Sequence, residues 1–195
     1  MFLVSTGTFV AIAHEMVTEK EDNFDIRIIS LLEGRVSPAV AGVFKLLTFF
    51  GSTGFLISAF VLVALALLIA KRRKEAASVA IAGLLSCVLL ESLKFFFKRI
   101  RPAAPVFEKL DNFSFPSGHA FYSFIFYGIL SLLIWKTGWD KKWKILLPAL
   151  LVLFVLSIGL SRIVLRYHFS SDVIGGFCLG CSCLSLYLIY RVKRS

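Results

Sequence analysis

The sequence predicts an all-α integral membrane protein: a bundle of six transmembrane helices with a short interfacial helix. Three observations carry this. Of 195 residues, 58% are hydrophobic and 17% are charged, too few polar side chains to cover a water-soluble globule of that size. Uncharged runs recur at the length a membrane asks for, about 20 mostly apolar residues for a hydrocarbon core of roughly 30 Å. The charges are confined to the connections, and 22 Lys and Arg against 12 Asp and Glu give a net +10. In a soluble chain that excess would point first to nucleic acid. The hydrophobic content argues against nucleic acid and makes the lipid bilayer the partner.

The elements follow in chain order. The opening MFLVSTGTFVAIAH is apolar but short, and Ala11-Ile12-Ala13 resembles a signal-peptidase site. No Lys or Arg precedes the stretch as a signal peptide would require, so it reads as a short first span over about residues 1–17. Between Glu15 and Lys45, six acids stand against four bases, and NFDIRIISLLEGR puts Phe24, Ile28, Leu31 and Leu32 on one face with charges elsewhere. That is the pattern of a helix lying flat in the interface. Residues 46 to 70 carry no charge and supply a second span at about 50–70. A third at 76–97 is interrupted only by Glu91 and Lys94, and 119–135, 145–161 and 173–190 complete the set. The whole of 1–195 reads as one six-helix domain. In the last span Gly176 and Gly180 form a small-residue pair, which permits close helix contact within the bundle or, secondarily, between copies.

Loop charge sets the orientation, because Lys and Arg accumulate on the cytoplasmic side. Lys71-Arg72-Arg73-Lys74, then Lys136 with Lys141, Lys142 and Lys144, then Arg191, Lys193 and Arg194 all fall on one side when both termini are cytoplasmic. The acidic segment falls opposite. Cys87, Cys178, Cys181 and Cys183 lie inside apolar runs, away from a disulfide framework or zinc-ligand spacing, and read as small hydrophobes.

KFFFKRIR at 94–101 and SRIVLRYHFSSD at 161–172 put six cations on the side where few are expected. Ionisable groups near membrane depth are expensive, about 2.5–3.5 kcal/mol at a span centre, and mark function by default. Three clusters meet there. Lys94 and Arg101 are seven residues apart, near two helical turns, so both should project from one face, with Pro102 ending the helix. Phe115-Pro116-Ser117-Gly118-His119 precedes the fourth span, where a helix N-terminus offers unpaired N–H groups to an anion. Ser161-Arg162, His168 and Asp172 form the third, and a carboxylate four residues from a His can hold one ring nitrogen as N–H and leave the other to attack. Singly, each has an ordinary explanation: a basic flank, a turn with an N-cap, a capping Asp beside an incidental His. Together they assemble a phosphate site with fixed cations, an oriented nucleophile and a second His to protonate the leaving oxygen.

Lys94 with six residues to Arg101-Pro102, Pro116-Ser117-Gly118-His119, and Ser161-Arg162 with five residues to His168 and three more to Asp172 resemble the three-part signature of the type 2 phosphatidic acid phosphatase family of membrane lipid phosphatases. The motifs extend over residues 94–172, and the six-span plan extends the likeness to nearly the whole chain. The resemblance implies a hydrolase that uses no metal and no cofactor, with His168 as nucleophile, Asp172 orienting it and His119 as general acid and then base. It also implies that Lys94, Arg101, Ser117, Gly118 and Arg162 bind the phosphate. Vanadium haloperoxidases share these residues but are soluble. Arg166 lies outside the signature and could meet a second phosphate, a head group or the anionic membrane surface.

The expected substrate is a lipid phosphate at the outer leaflet. Small bacterial members suggest phosphatidylglycerophosphate, preferred here with relaxed specificity, or undecaprenyl pyrophosphate. A non-catalytic lipid-binding or lipid-flipping protein would need the cations but not an oriented His168–Asp172 pair or a proton donor at His119. A channel vestibule would need a polar path through the spans, and none is visible. A neutral His168 and a protonated His119 predict a bell-shaped pH profile. The oligomeric state is not legible.

Overall fold

A computed structural model describes residues 1–18 and 23–192, and every regular element among them is a helix. In order these are α1 (Phe2–Thr18), α2 (Asn23–Leu32), α3 (Pro38–Phe49), α4 (Thr53–Ile69), α5 (Arg73–Phe97), α6 (Gly118–Trp135), α7 (Lys141–Val164) and α8 (Ser170–Val192). Five apolar segments are long enough to cross a membrane: Pro38–Ile69, Arg73–Phe97, Gly118–Trp135, Lys141–Val164 and Ser170–Tyr190. The 17-residue α1 is apolar and shorter. The chain is a multi-pass membrane protein. Lys193 and Arg194 of the basic terminal cluster, and Glu19, Lys20, Glu21 and Asp22 of the acidic segment, lie outside the described residues.

Helix α6 is the axis of the bundle, packed against α4, α5, α7 and α8. It buries Phe121, Ile125 and Ile129, whereas its neighbours turn Val61, Leu65, Leu84, Val88, Leu153 and Leu160 outward. Apolar side chains on the outside suit a bilayer, because lipid is as apolar as the core and each helix satisfies its own backbone. Contact between α6 and α8 is close because α8 offers glycines. A Cβ on Gly176 would stand 2.7 Å from the Ser117 carbonyl oxygen and 3.0 Å from Ala120 Cβ, and one on Gly180 2.9 Å from Phe124 Cβ. The small-residue pair therefore packs inside the bundle. On the far side of α8, α1 docks through Ser5, whose hydroxyl meets Ser182 Oγ at 2.9 Å, while Phe9 stacks on Phe115.

Of three sequence expectations, one is corrected and two are refined. First, the second span, expected at about 50–70, is α4, and a separate helix precedes it. Ser37 caps a separate helix, α3, with Pro38 in its first turn, and Ser52 starts α4 by accepting from the Phe55 amide. Ser-Pro at a helix start is a legible signal of that additional helix. Second, Lys94 and Arg101 do not share a helix face, because α5 ends at Phe97 and Lys98 takes a left-handed conformation, φ 48°. Such a cap stops the helix and redirects the chain, so Arg101 is carried by an irregular segment. Third, Phe24 and Leu31 of the expected interfacial face of α2 point out, while the helix packs on the bundle through Asp25, Ile28, Ile29 and Leu32. A carboxylate, Asp25, is its most buried position at 1% exposure.

Candidate active site

Four helix ends and one loop converge at the same end of the bundle. Helix α5 delivers Lys94 in its last turn, buried at 6% exposure. The Lys98 turn then sends the chain back so that the Arg99 carbonyl accepts from the Ser114 amide at 2.8 Å. The loop ends in Phe115-Pro116, a cis peptide, and Ser117 at the N-cap of α6, held to α8 by a 3.0 Å bond from its amide to the Asp172 carbonyl. Ser117 makes no side-chain capping bond, and its Oγ is buried without a partner. The first amides of α6 are thus left to an anion, as a helix N-terminus provides. His119 is half-buried in that first turn.

Helix α7 delivers Arg162 at 3% exposure. Its Nη1 donates to Thr48 Oγ1 at 2.6 Å from α3, and its guanidinium lies 4.3 Å from the Tyr167 ring centroid. The Nε is buried and unpartnered. Arg101 is fastened on several sides, donating to the Asn112 carbonyl at 2.8 Å, to Asn112 Oδ1 at 2.7 Å and to the Tyr167 carbonyl at 2.6 Å. Its Nη1 also stands 3.0 Å from His168 Nε2.

That last contact decides the tautomer. A guanidinium only donates, so Nε2 must carry its lone pair toward it and Nδ1 must carry the proton. Asp172 Oδ2 lies 3.3 Å from Nδ1, and Ser114 Oγ lies 3.2 Å from the same nitrogen. Ser114 spends its own proton on Asp172 Oδ2, at 2.5 Å, so its lone pair faces the ring N–H. Asp172 is also the third residue of α8, and its Oδ2 accepts from the Phe169 amide at 2.9 Å. That is the carboxylate half of a capping box. Helix capping and His orientation, alternatives in the sequence, are both performed by one side chain. Burial first, then Arg101, Arg162 and Lys94, hold the His168 imidazole well below its usual pKa near 6.5, so it stays neutral at pH 7 with the Nε2 lone pair available.

All the residues singled out in the sequence meet here, with two qualifications. Ser161 bonds the Ile158 carbonyl at 2.6 Å and serves α7. Arg166 lies 3.7 Å from Glu33 in the turn after α2. Five partners were not singled out. Arg99 Nη1 donates to Asp172 Oδ1 at 2.7 Å and Nη2 to Asp25 Oδ2 at 2.8 Å, and Ser171, Ser114 and Thr48 complete the surround. Arg99 was visible as one of the unexplained cations, and Asp25 as a carboxylate at the spacing of an apolar stripe. Nothing local marks Ser114, Ser171 or Thr48. Among the described residues no group of three His, Cys, Asp or Glu is placed to hold a metal ion.

The family model of the PAP2 superfamily matches residues 74–195. The chain belongs to the PAP2 superfamily. It is similar to phosphatidylglycerophosphatase B of Bacillus subtilis (strain 168), 26% identical over 148 residues that cover 75% of this chain and 70% of that protein. The crystal structure of a transmembrane PAP2-type phosphatidylglycerolphosphate phosphatase from Bacillus subtilis superposes with a TM-score of 0.91 at 24% identity, over 99% of this chain and 96% of that one. That likeness shows the all-helical membrane fold of that PAP2-type phosphatase. The Aquifex aeolicus LpxE crystal structure matches with a TM-score of 0.65 at 27% identity, over 85% of this chain and 94% of that one.

Proposed function

We propose that this PAP2-superfamily chain hydrolyses the terminal phosphate of a membrane lipid, phosphatidylglycerophosphate foremost, through a phosphohistidine formed on His168. The observation that carries the proposal is the buried His168, with Nδ1–H held by Asp172 and Ser114 and its Nε2 lone pair directed at Arg101, the cation meant for the phosphate. A binding protein has no use for that tautomer. The name of the Bacillus relative supports the choice of lipid.

The chemistry follows from the donors. Lys94, Arg101, Arg162, Ser117 Oγ and the first amides of α6 hold the non-bridging oxygens and take up charge in the transition state. Nε2 attacks phosphorus as the P–O bond to the lipid breaks, and His119 gives its proton to the departing oxygen. Asp172 stabilises the positive charge that the ring acquires. Water then attacks the phosphohistidine while His119 takes its proton, the P–N bond breaks, and inorganic phosphate leaves both histidines as they began.

The tail has a place beside this end of the bundle. A cavity of about 400 Å³ opens between α4 and α5, lined by Leu56, Phe60, Ala80, Gly83, Cys87 and Tyr122 among others. Cys87 lies seven residues from Lys94 on α5, roughly 10 Å along the helix axis. A site that grips only the terminal phosphate while the chain lies in an apolar groove accepts several lipids. By loop charge, the site faces the outer leaflet and both termini are cytoplasmic. Phosphate release from phosphatidylglycerophosphate, phosphatidate and undecaprenyl pyrophosphate, in detergent with chelator, tests the reading. Release that disappears in His168→Ala supports it, and release unaffected by that substitution overturns it.

A further inference from the structure

Resting on that reading of His168 and Asp172, we infer that Asp25 and Arg99 are positioning residues for the reaction, joining the interfacial helix α2 to the carboxylate that orients the nucleophile. Arg99 divides its fork between two carboxylates, Nη1 on Asp172 Oδ1 at 2.7 Å and Nη2 on Asp25 Oδ2 at 2.8 Å. Ser171 closes the ring: its amide donates to Asp25 Oδ1 at 2.9 Å, its hydroxyl donates to Asp25 Oδ2, and that hydroxyl accepts from Arg99 Nη1 at 2.7 Å. Phe169 covers the guanidinium with its ring at 4.3 Å. Asp25 and Asp172 are 1% and 0% exposed.

The two oxygens of Asp172 therefore do different work. Oδ2 faces His168, and Oδ1 is anchored to Arg99. Burial opposes the charge on Arg99, yet Asp172 and Asp25 hold its pKa above the usual range. Were Asp25 absent, the whole guanidinium charge would fall on Asp172 and weaken what that carboxylate offers the His168 N–H. Arg99 thus needs a second carboxylate to stay balanced, and α2 supplies it. Helix α2 turns Phe24, Ile26 and Leu31 outward, each roughly half exposed. The contact that completes the network is thus made by the helix best suited to rest in the interface.

The test reads rate against pH. The acid limb reports the protonation of His168, which is faced by Lys94 on α5, Arg101 and Ser114 on the loop, His119 on α6, Arg162 on α7 and Asp172 on α8. Asp25→Asn removes a negative charge from the far side of Arg99, disfavours the imidazolium and moves the acid limb to lower pH. Arg99→Gln removes the positive charge and moves it to higher pH. With substrate in excess, Asp25→Asn, which acts on His168 through Arg99 and Asp172, lowers kcat by about ten-fold, the low end of what outer partners contribute at metal sites, with KM within about two-fold. A scaffold role would reduce the amount of active enzyme without moving the limb, whose position does not depend on how much protein folds. Ser171→Ala, which keeps both charges but loosens Asp25, serves if neither charge variant folds, and lowers kcat in the same sense. Unmoved limbs and an unchanged kcat per folded molecule would overturn the inference. His168→Ala in the same series separates the readings, because activity surviving there would defeat the phosphohistidine itself rather than this coupling.

Discussion

At the residue scale, the contacts around His168 fix one tautomer and aim its Nε2 lone pair at Arg101, as the proposed nucleophile requires. Asp172 accepts from the His168 ring, the Phe169 amide, Ser114 and Arg99 together, so its orientation is over-determined. Asp172→Asn keeps the shape and disturbs the tautomer, and should lower kcat by about three to four orders of magnitude, the size seen where a His-orienting carboxylate is amidated in a catalytic triad. Steady-state kinetics with KM recorded separately checks this, and a loss below ten-fold would mean that the ring is oriented by other contacts. The acid limb of kcat/KM in wild type, which reports the free enzyme, lies well below pH 6.5, because burial and three cations keep His168 neutral until the medium is more acidic than its usual midpoint. A limb at or above 6.5 would put another group in control. The proposed catalytic residues were legible because the chemistry proposed for them needs fixed spacings. Ser114 and Thr48 were not, because they act through contacts 54 and 114 residues away in sequence.

At the scale of elements, the contact of α6 with α8 sets the geometry of the site, since Ser117 and Asp172 sit at their adjoining ends. Gly176→Leu puts a branched side chain against the Ser117 carbonyl, where a Cβ alone already comes to 2.7 Å. It should cost about 1–3 kcal/mol by overpacking and abolish most activity. Gly54→Ala on α4 meets open space and should be neutral or slightly stabilising. Thermal midpoints of the two variants in detergent compare them, and equal midpoints would mean that the helices separate freely. The small-residue pair and five of the spans could be read in advance because both follow from composition along one helix. The break between α3 and α4, and the Lys98 turn that carries Arg101, could not. Each is decided by a few residues whose alternative, a longer helix, the sequence pattern also allows.

At the scale of the whole molecule, the bundle carries the proposed phosphate site at one end with an apolar flank beside it. Ala80→Phe, at an exposed position on the wall of the α4–α5 cavity, would fill that cavity and should raise KM for a long-chain lipid phosphate by ten-fold or more, while leaving hydrolysis of a short soluble phosphate ester nearly unchanged. Equal effects on both substrates would remove the groove from lipid binding. Orientation is open to labelling: a cysteine at Lys109 should react with an impermeant maleimide added outside intact cells, and one at Lys142 only after lysis, in a background lacking the four native cysteines. The reverse pattern would invert the protein in the membrane. The global class was the most legible property of all, because lipid demands apolar outer surfaces on every helix. The seating of α2 was the least, because Asp25 gains meaning only when α8 and Arg99 are folded against it.

The most direct test of the central claim is to look for the phosphate on the histidine. Enzyme turning over phosphatidylglycerophosphate labelled in its terminal phosphate is quenched in alkali, where a phosphoramidate survives, and the labelled peptide is sequenced. The label should reside on His168 and be absent from His168→Ala. Undiminished turnover with no label on His168, or label on another side chain, would contradict the account.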